Sequence, residues 1–204
     1  MIGEGRSSRM MKAAVLLVTL LGTLQACSGL PHIVVLHDPL TPQEHVALGE
    51  SYQDQGSREL AVREFQAALR QQRDYAPALI ALGNLSFEAG TLQAAEEYYR
   101  RALDIAPNHP AANNNLAMVY LSRGDRLEEA ERLAKGALAQ EGALRPYVLD
   151  TLAQIYVRQG RYQEAQTTLE EAERVAPREN THLHERLAQS RRDLAAAALI
   201  HSSP

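Results

Sequence analysis

The residues able to do chemistry are few. Cys27 is the one cysteine among 204 residues, and it closes the apolar stretch "LLVTLLGTLQAC". A solitary thiol excludes an intramolecular disulfide and the multi-cysteine zinc patterns. It remains a nucleophile, able to take a covalent group or to act as a buried or reactive thiol. "HLHER" sets His184 beside Glu185, half of an arrangement in which two histidines one helical turn apart hold zinc and the glutamate serves as base. Ala188 stands where the second histidine would be, so His182 and His184 are expected in solvent. His32, His37 and His45, with Asp38 between them, match no defined ligand set. The chain has neither a G-x-S-x-G elbow nor a phosphate-binding glycine loop. No metal, no catalytic constellation and no cofactor is expected, and the chain is not expected to be an enzyme.

Charge excludes another class. Lysine and arginine number 21 against 25 acids, a net charge of −4, so the polybasic footprint needed to hold nucleic acid is missing. Nothing in the sequence marks a small-molecule substrate.

The elements that position Cys27 come before it. Arg6, Arg9 and Lys12 make a basic start, and Ala13 to Leu24 follow without a charge. This is the shape of a signal peptide. The run is shorter than the roughly 20 apolar residues a membrane-spanning helix needs. "LQAC", Leu24 to Cys27, resembles the bacterial lipobox: a large aliphatic residue, a variable one, a small one, then cysteine. The resemblance implies cleavage before Cys27 and lipidation of its thiol and freed amine, with residues 1–26 as a lipoprotein signal peptide. Several acyl chains at about 0.8 kcal/mol per buried CH2 hold far more firmly than one. The alternative is a buried or reactive thiol behind an ordinary cleavable signal. Ser28 follows in place of aspartate, which by similarity to Gram-negative lipoproteins implies the outer membrane, facing the periplasm.

Residues 27–40 read as an extended membrane-proximal linker. Within it "IVVL", residues 33–36, has strand character, bracketed by Pro31 and Asp38-Pro39. It is expected either to lie as an arm on the first helices or to add to the edge of a partner's sheet.

Beyond residue 41 the chain repeats. A leucine column (Leu48, Leu82, Leu116, Leu152) recurs at spacings of 34, 34 and 36, beside a small residue (Gly49, Gly83, Ala117, Ala153). Glycine recurs at Gly56, Gly90, Gly124 and Gly160, and alanine at Ala61, Ala95, Ala130 and Ala165 and again at Ala68, Ala102, Ala137 and Ala172. Between the alanines stand Phe65, Tyr99, Ala134 and Leu169. The leucine and small positions share one helical face with a largely aromatic column (Tyr52, Ser86, Tyr120, Tyr156), glycine ends that helix, and the alanine stripe at i, i+4, i+7 makes a second. Each unit is therefore a helical hairpin that buries its stripes only by stacking on the next. The third unit carries extra residues and is the least regular. "TPQE", Thr41 to Glu44, supplies a cap, a proline and a glutamate for the first helix.

These columns resemble the tetratricopeptide repeat. The resemblance implies an all-α, right-handed superhelical solenoid of about four hairpins over residues 41–177, in units of about 42–75, 76–109, 110–145 and 146–179. Residues 178–199 read as a capping helix and 200–204 as a disordered tail. By analogy with the family, the first helix of each hairpin lines a concave groove that takes a protein or peptide. Its lining is then Val46, Glu50 and Gln53; Ile80, Asn84 and Phe87; Asn114, Met118 and Leu121; and Asp150, Gln154, Val157 and Arg158. Phe87, Met118, Leu121 and Val157 form an apolar strip in it, although Leu121 and Val157 are equally suited to packing between hairpins. The lysines with which chaperone-binding members hold a terminal carboxylate are missing.

The combination is similar in plan to the pilotin lipoproteins of type IV pili. It implies a membrane-anchored assembly or targeting factor for a cell-envelope complex, of pilus or secretion type. The alternatives are a self-associating structural subunit and an accessory of an envelope enzyme such as a peptidase.

Overall fold

The computed structural model describes residues 38–139 and 142–202. Cys27, the signal-like segment and the "IVVL" stretch lie outside the described residues. Among the described residues nine helices follow one another: α1 Pro42–Asp54, α2 Arg58–Gln71, α3 Ala76–Glu88, α4 Leu92–Ile105, α5 Pro110–Arg123, α6 Leu127–Leu138, α7 Arg145–Arg158, α8 Tyr162–Val175 and α9 Thr181–Ser202. No strand occurs among the described residues. Helices α1 to α8 form four antiparallel hairpins that stack into a solenoid, and α9 packs on α7 and α8 at its end.

Helix ends follow local chemistry. Thr41 caps α1 through a reciprocal box with Glu44, whose carboxylate accepts the Thr41 N–H at 2.7 Å. Proline stands in the first turn of α1, α3, α5 and α7, where its missing N–H costs nothing. The glycines ending these four helices all have φ between 70° and 75°. In each hairpin the residue after the glycine donates its N–H to a carbonyl five residues back, as Ser57 does to Tyr52 at 2.8 Å and Arg161 to Tyr156 at 2.9 Å. Only a residue free of a Cβ takes this left-handed closure without strain.

The small-residue column is set by close approach within the hairpins. A Cβ at Gly49 would stand 2.5 Å from the Phe65 ring, and one at Gly83 2.5 Å from the Tyr99 ring. Where the facing residue is Ala134 or Leu169, the column holds Ala117 or Ala153. Large rings are thus matched by glycine and smaller side chains by alanine, the complementarity a close-packed interior needs.

Between hairpins the buried side chains are continuous. Tyr99, Leu116, Tyr120, Leu133, Leu152 and Ile155 belong to one cluster running through the second, third and fourth hairpins. Leu183 and Leu187 of α9 form a further cluster with Leu149, Leu169 and Ala172 at the C-terminal end. A charged staple recurs at two junctions: Arg126 lies over Tyr120 at 5.2 Å and pairs with Glu96 at 2.8 Å, and Arg161 lies over Tyr156 at 4.2 Å and pairs with Glu131 at 2.7 Å.

The third hairpin departs from the others. Its second helix, α6, has 12 residues where α2, α4 and α8 have 14. Arg126, in the lengthened turn, has φ 51°, the one positive value outside glycine among the described residues. The ring contact and the Glu96 pair hold it there. The expected tail is also different: α9 continues through Ser202. Ala195 to Ala198 are strong helix formers, and no glycine follows to stop them.

Candidate functional site

Which face is concave follows from which helices touch. Successive first helices have closely spaced backbones, α1 with α3, α3 with α5, α5 with α7 and α7 with α9, whereas the backbones of successive second helices stand further apart among the described residues, α4 and α6 meeting through the Arg100–Glu129 pair at 3.9 Å. The stack is therefore tighter on the side of the first helices, and that side is the inner face.

The residues expected on this face divide by column. The positions two after each column leucine are the accessible ones: Glu50 is exposed, and Asn84, Met118 and Gln154 are half-buried. Three residues further along come Gln53, Phe87 and Val157, half-buried, and Leu121, 9% exposed. Arg158 follows, exposed. The positions two before each leucine turn inward: Val46 is buried, Ile80 packs against the core, Asn114 is 7% exposed and Asp150 is fully buried. Val46, Ile80, Asn114 and Asp150, all expected to line the groove, instead lie against the packed interior.

The polar groups of the face are held in place. Asn84 Oδ1 accepts from the Tyr99 hydroxyl and from Asn115 Nδ2, both at 2.8 Å. Burial pushes the Tyr99 phenol up, so it stays a donor. Asn114 Nδ2 approaches Met118 Sδ at 3.6 Å, while its Oδ1 is buried without a hydrogen-bond partner. Asp150 is fully engaged: Arg186 Nε donates to it at 2.6 Å, Ser190 Oγ at 2.6 Å and Gln154 Nε2 at 2.9 Å. Burying a carboxyl group is tolerated when donors meet its oxygens in this way.

The face deepens at its C-terminal end. Between α5, α7 and α9 lies a cleft of about 230 Å3. It brings together Met118, Leu121, Gln154, Val157 and Arg158 from the expected set, with Arg186, Ser190 and Asp193 of α9. Glu50, Gln53, Asn84 and Phe87 lie on α1 and α3, outside the cleft. The α9 residues had a signal in the sequence: Leu187-Ala188 falls 35 positions after Leu152-Ala153 and continues the leucine–small column. Read that way, α9 is a fifth first helix that lends its inner face to the groove.

His182 and His184 are exposed, with His184 Nε2 3.1 Å from the Pro177 carbonyl. Among the described residues no group of three or more His, Cys, Asp or Glu is placed to hold a metal ion. No helix among them is long and apolar enough to cross a membrane.

Stacked helical hairpins with an accessible inner face define a protein-interaction scaffold. Tetratricopeptide-repeat family models match residues 46–110 and residues 108–177, together well over half of the chain. The chain belongs to the tetratricopeptide-repeat family. Among curated proteins it is similar to the Photosystem I assembly protein Ycf3 of Cyanophora paradoxa, 36% identical over 89 residues that make up 40% of this chain and 49% of the relative. It is also similar to tetratricopeptide repeat protein 14 of Mus musculus, 33% identical over 87 residues, 43% of this chain and 11% of the relative. The chain thus spans about half the length, or less, of these relatives. Among solved structures, that of Pseudomonas aeruginosa pilF superposes with a TM-score of 0.60 at 21% identity, covering 79% of this chain and 75% of that one. MamA superposes with a TM-score of 0.57 at 20% identity, covering 72% of this chain and 81% of that one. These likenesses concern the fold.

Proposed function

We propose that the protein is an outer-membrane lipoprotein, anchored through lipid on Cys27, whose repeat face holds a protein of the cell envelope during assembly or targeting of a larger complex of pilus or secretion type. The observation that carries the binding role is the inner face itself: Phe87, Met118 and Val157 keep accessible apolar surface beside anchored amides. Apolar side chains with fixed hydrogen-bonding groups between them suit a peptide segment, whose backbone the amides grip. The anchor rests on the basic start, the apolar run and the small residue before the solitary cysteine. The curated relative named as an assembly protein supports an assembly role, and the pilF structure supports the plan of the fold.

The test is in-cell photo-crosslinking from positions 87 and 118 in a wild-type and a Cys27→Ser background. A single envelope protein trapped at both positions is expected, with the yield lost and the chain released from membranes when Cys27 is replaced. Membrane attachment that survives Cys27→Ser would sink the lipid anchor, and adducts absent from both probes would sink the groove.

A second reading, self-association, is favoured by one observation: Ile200, near the end of α9, is 73% exposed. Sedimentation of the purified chain separates the two, since self-association requires a mass that rises with concentration.

A further inference from the structure

A cleft of about 230 Å3 is smaller than the roughly 300–1,000 Å3 of sites that enclose a whole small ligand. It has room for one or two side chains of something larger. Met118, Leu121 and Val157 make its apolar surface. Its charged groups differ in how they are engaged. Arg186 is committed to buried Asp150 at 2.6 Å. Asp193 accepts from Gln189 Nε2 at 2.8 Å. The Arg158 side chain has no hydrogen bond or ion pair among the described residues.

That lack of a partner is unusual for its place. The other arginines at the turns between first and second helices are all paired. Arg58 reaches Glu88 at 3.7 Å and the Leu85 carbonyl, Arg123 reaches Asp125 at 2.7 Å, Arg126 reaches Glu96 at 2.8 Å and Arg161 reaches Glu131 at 2.7 Å. Arg158 leans instead toward the α5–α6 turn, where a Cβ built on Gly124 would be 3.6 Å from its Nη1. Its guanidinium stands at the cleft with its donors available to an outside acceptor.

We propose that the cleft takes an apolar side chain from a partner protein segment, and that Arg158 pairs with the side-chain carboxylate of an Asp or Glu flanking that residue. This rests on reading the inner face as a protein-binding groove, and it names the chemistry of what binds. The pairing also fixes direction. An acid on the α7 side meets Arg158, whereas one on the α9 side meets Asp193. A charge-assisted, forked hydrogen bond to guanidinium is the strongest polar contact the site can offer.

The test uses the detergent-solubilised full chain and a set of blocked peptides. Each has a central leucine or phenylalanine and a Glu, Gln or Lys on one flank or the other. Acetylated and amidated ends keep a terminal carboxylate from substituting for the side chain. By fluorescence anisotropy, Glu on one flank is expected to bind about tenfold more tightly than Gln, a difference of about 1.4 kcal/mol. Arg158→Glu is expected to reverse the order in favour of Lys, and Met118→Lys to weaken every peptide. Arg158 is exposed, so the Arg158→Glu chain should melt as the wild type does. Equal binding of Glu, Gln and Lys peptides, all lost with Met118→Lys, would overturn the carboxylate pairing and leave the groove standing. Binding indifferent to Met118→Lys, or no binding of any peptide, would overturn the groove and the pairing together.

Discussion

Gly83→Ala sets two opposite effects against each other. Alanine is favoured over glycine inside a helix by about 1 kcal/mol. Against this, the new methyl would stand 2.5 Å from Tyr99 Cε1 and 2.7 Å from Cδ1, well inside the roughly 3.5–4.0 Å of an unstrained carbon contact. The ring has little freedom to give way, being 1% exposed and tied through its hydroxyl to Asn84 at 2.8 Å. Overpacking of this kind costs about 1–3 kcal/mol, and a ring that moves loses a hydrogen bond worth about 1 kcal/mol more. The net expectation is a loss of about 1–3 kcal/mol, with the thermal midpoint falling by about 2–4 °C for each kcal/mol. In a Tyr99→Leu background the same substitution should be neutral or stabilising by up to about 1 kcal/mol. The resulting pair is the one the fourth hairpin already uses, Ala153 with Leu169. Urea unfolding of the four chains, followed by circular dichroism, closes the double-mutant cycle. If Gly83→Ala leaves the wild type as stable as before, or destabilises both backgrounds alike, the ring contact is not what keeps glycine in this column.

Two other perturbations test how the ends and junctions are held. Arg186→Ala leaves the buried Asp150 carboxylate without its cation and should cost about 3 kcal/mol, loosening α9 and speeding proteolysis near residue 180; adding Asp150→Asn should recover part of the loss, and no recovery would mean that packing, not charge, fixes the cap. At Glu131, burial raises the carboxyl, and hydrogen bonds from Lys135, Arg161 and Gln159 outweigh it, so the group lies below its ordinary 4.5. A lowered folded-state value gives stability that is present above the unfolded value and disappears as pH falls through the folded one. Glu131→Gln should therefore lower the melting midpoint at neutral pH by the equivalent of about 1 kcal/mol or less, with the deficit present above the ordinary carboxylate range and narrowing as pH falls below it. A deficit unchanged in acid would assign it to shape alone.

Much of the solenoid was legible because its columns state their own physics. A glycine facing a ring and an alanine facing a smaller residue, as at Gly49 with Phe65 and Ala153 with Leu169, encode helix approach distance in two letters. The left-handed glycines closing α1, α3, α5 and α7 encode where each helix ends. The groove was less legible. Helical spacing places Asn114, Met118 and Leu121 together on α5, yet Asn114 is 7% exposed and Met118 half-buried. The difference arises from a neighbouring helix, which one helix's periodicity does not contain. Arg126 is a similar case: an extra residue is visible in the sequence, but its left-handed backbone depends on Tyr120 and Glu96 from elsewhere.

Asp150 shows how the cap limits the groove. Its column, two before the leucine, holds Val46, Ile80 and Asn114 in earlier hairpins, where Val46 and Asn114 are buried and Ile80 packs against the core. At the last hairpin the next first helix is α9, and a carboxylate there must be satisfied by whatever α9 presents. Arg186 and Ser190 supply the donors, so the polar groups that hold the cap lie beside the cleft of Met118 and Val157. Closing the solenoid and shaping the end of its binding face are therefore tasks of the same side chains. A ligand that reaches the cleft touches the cap, and its affinity should fall with any substitution that frees α9, Arg186→Ala included. Binding that is indifferent to that substitution would mean the ligand stops at α5.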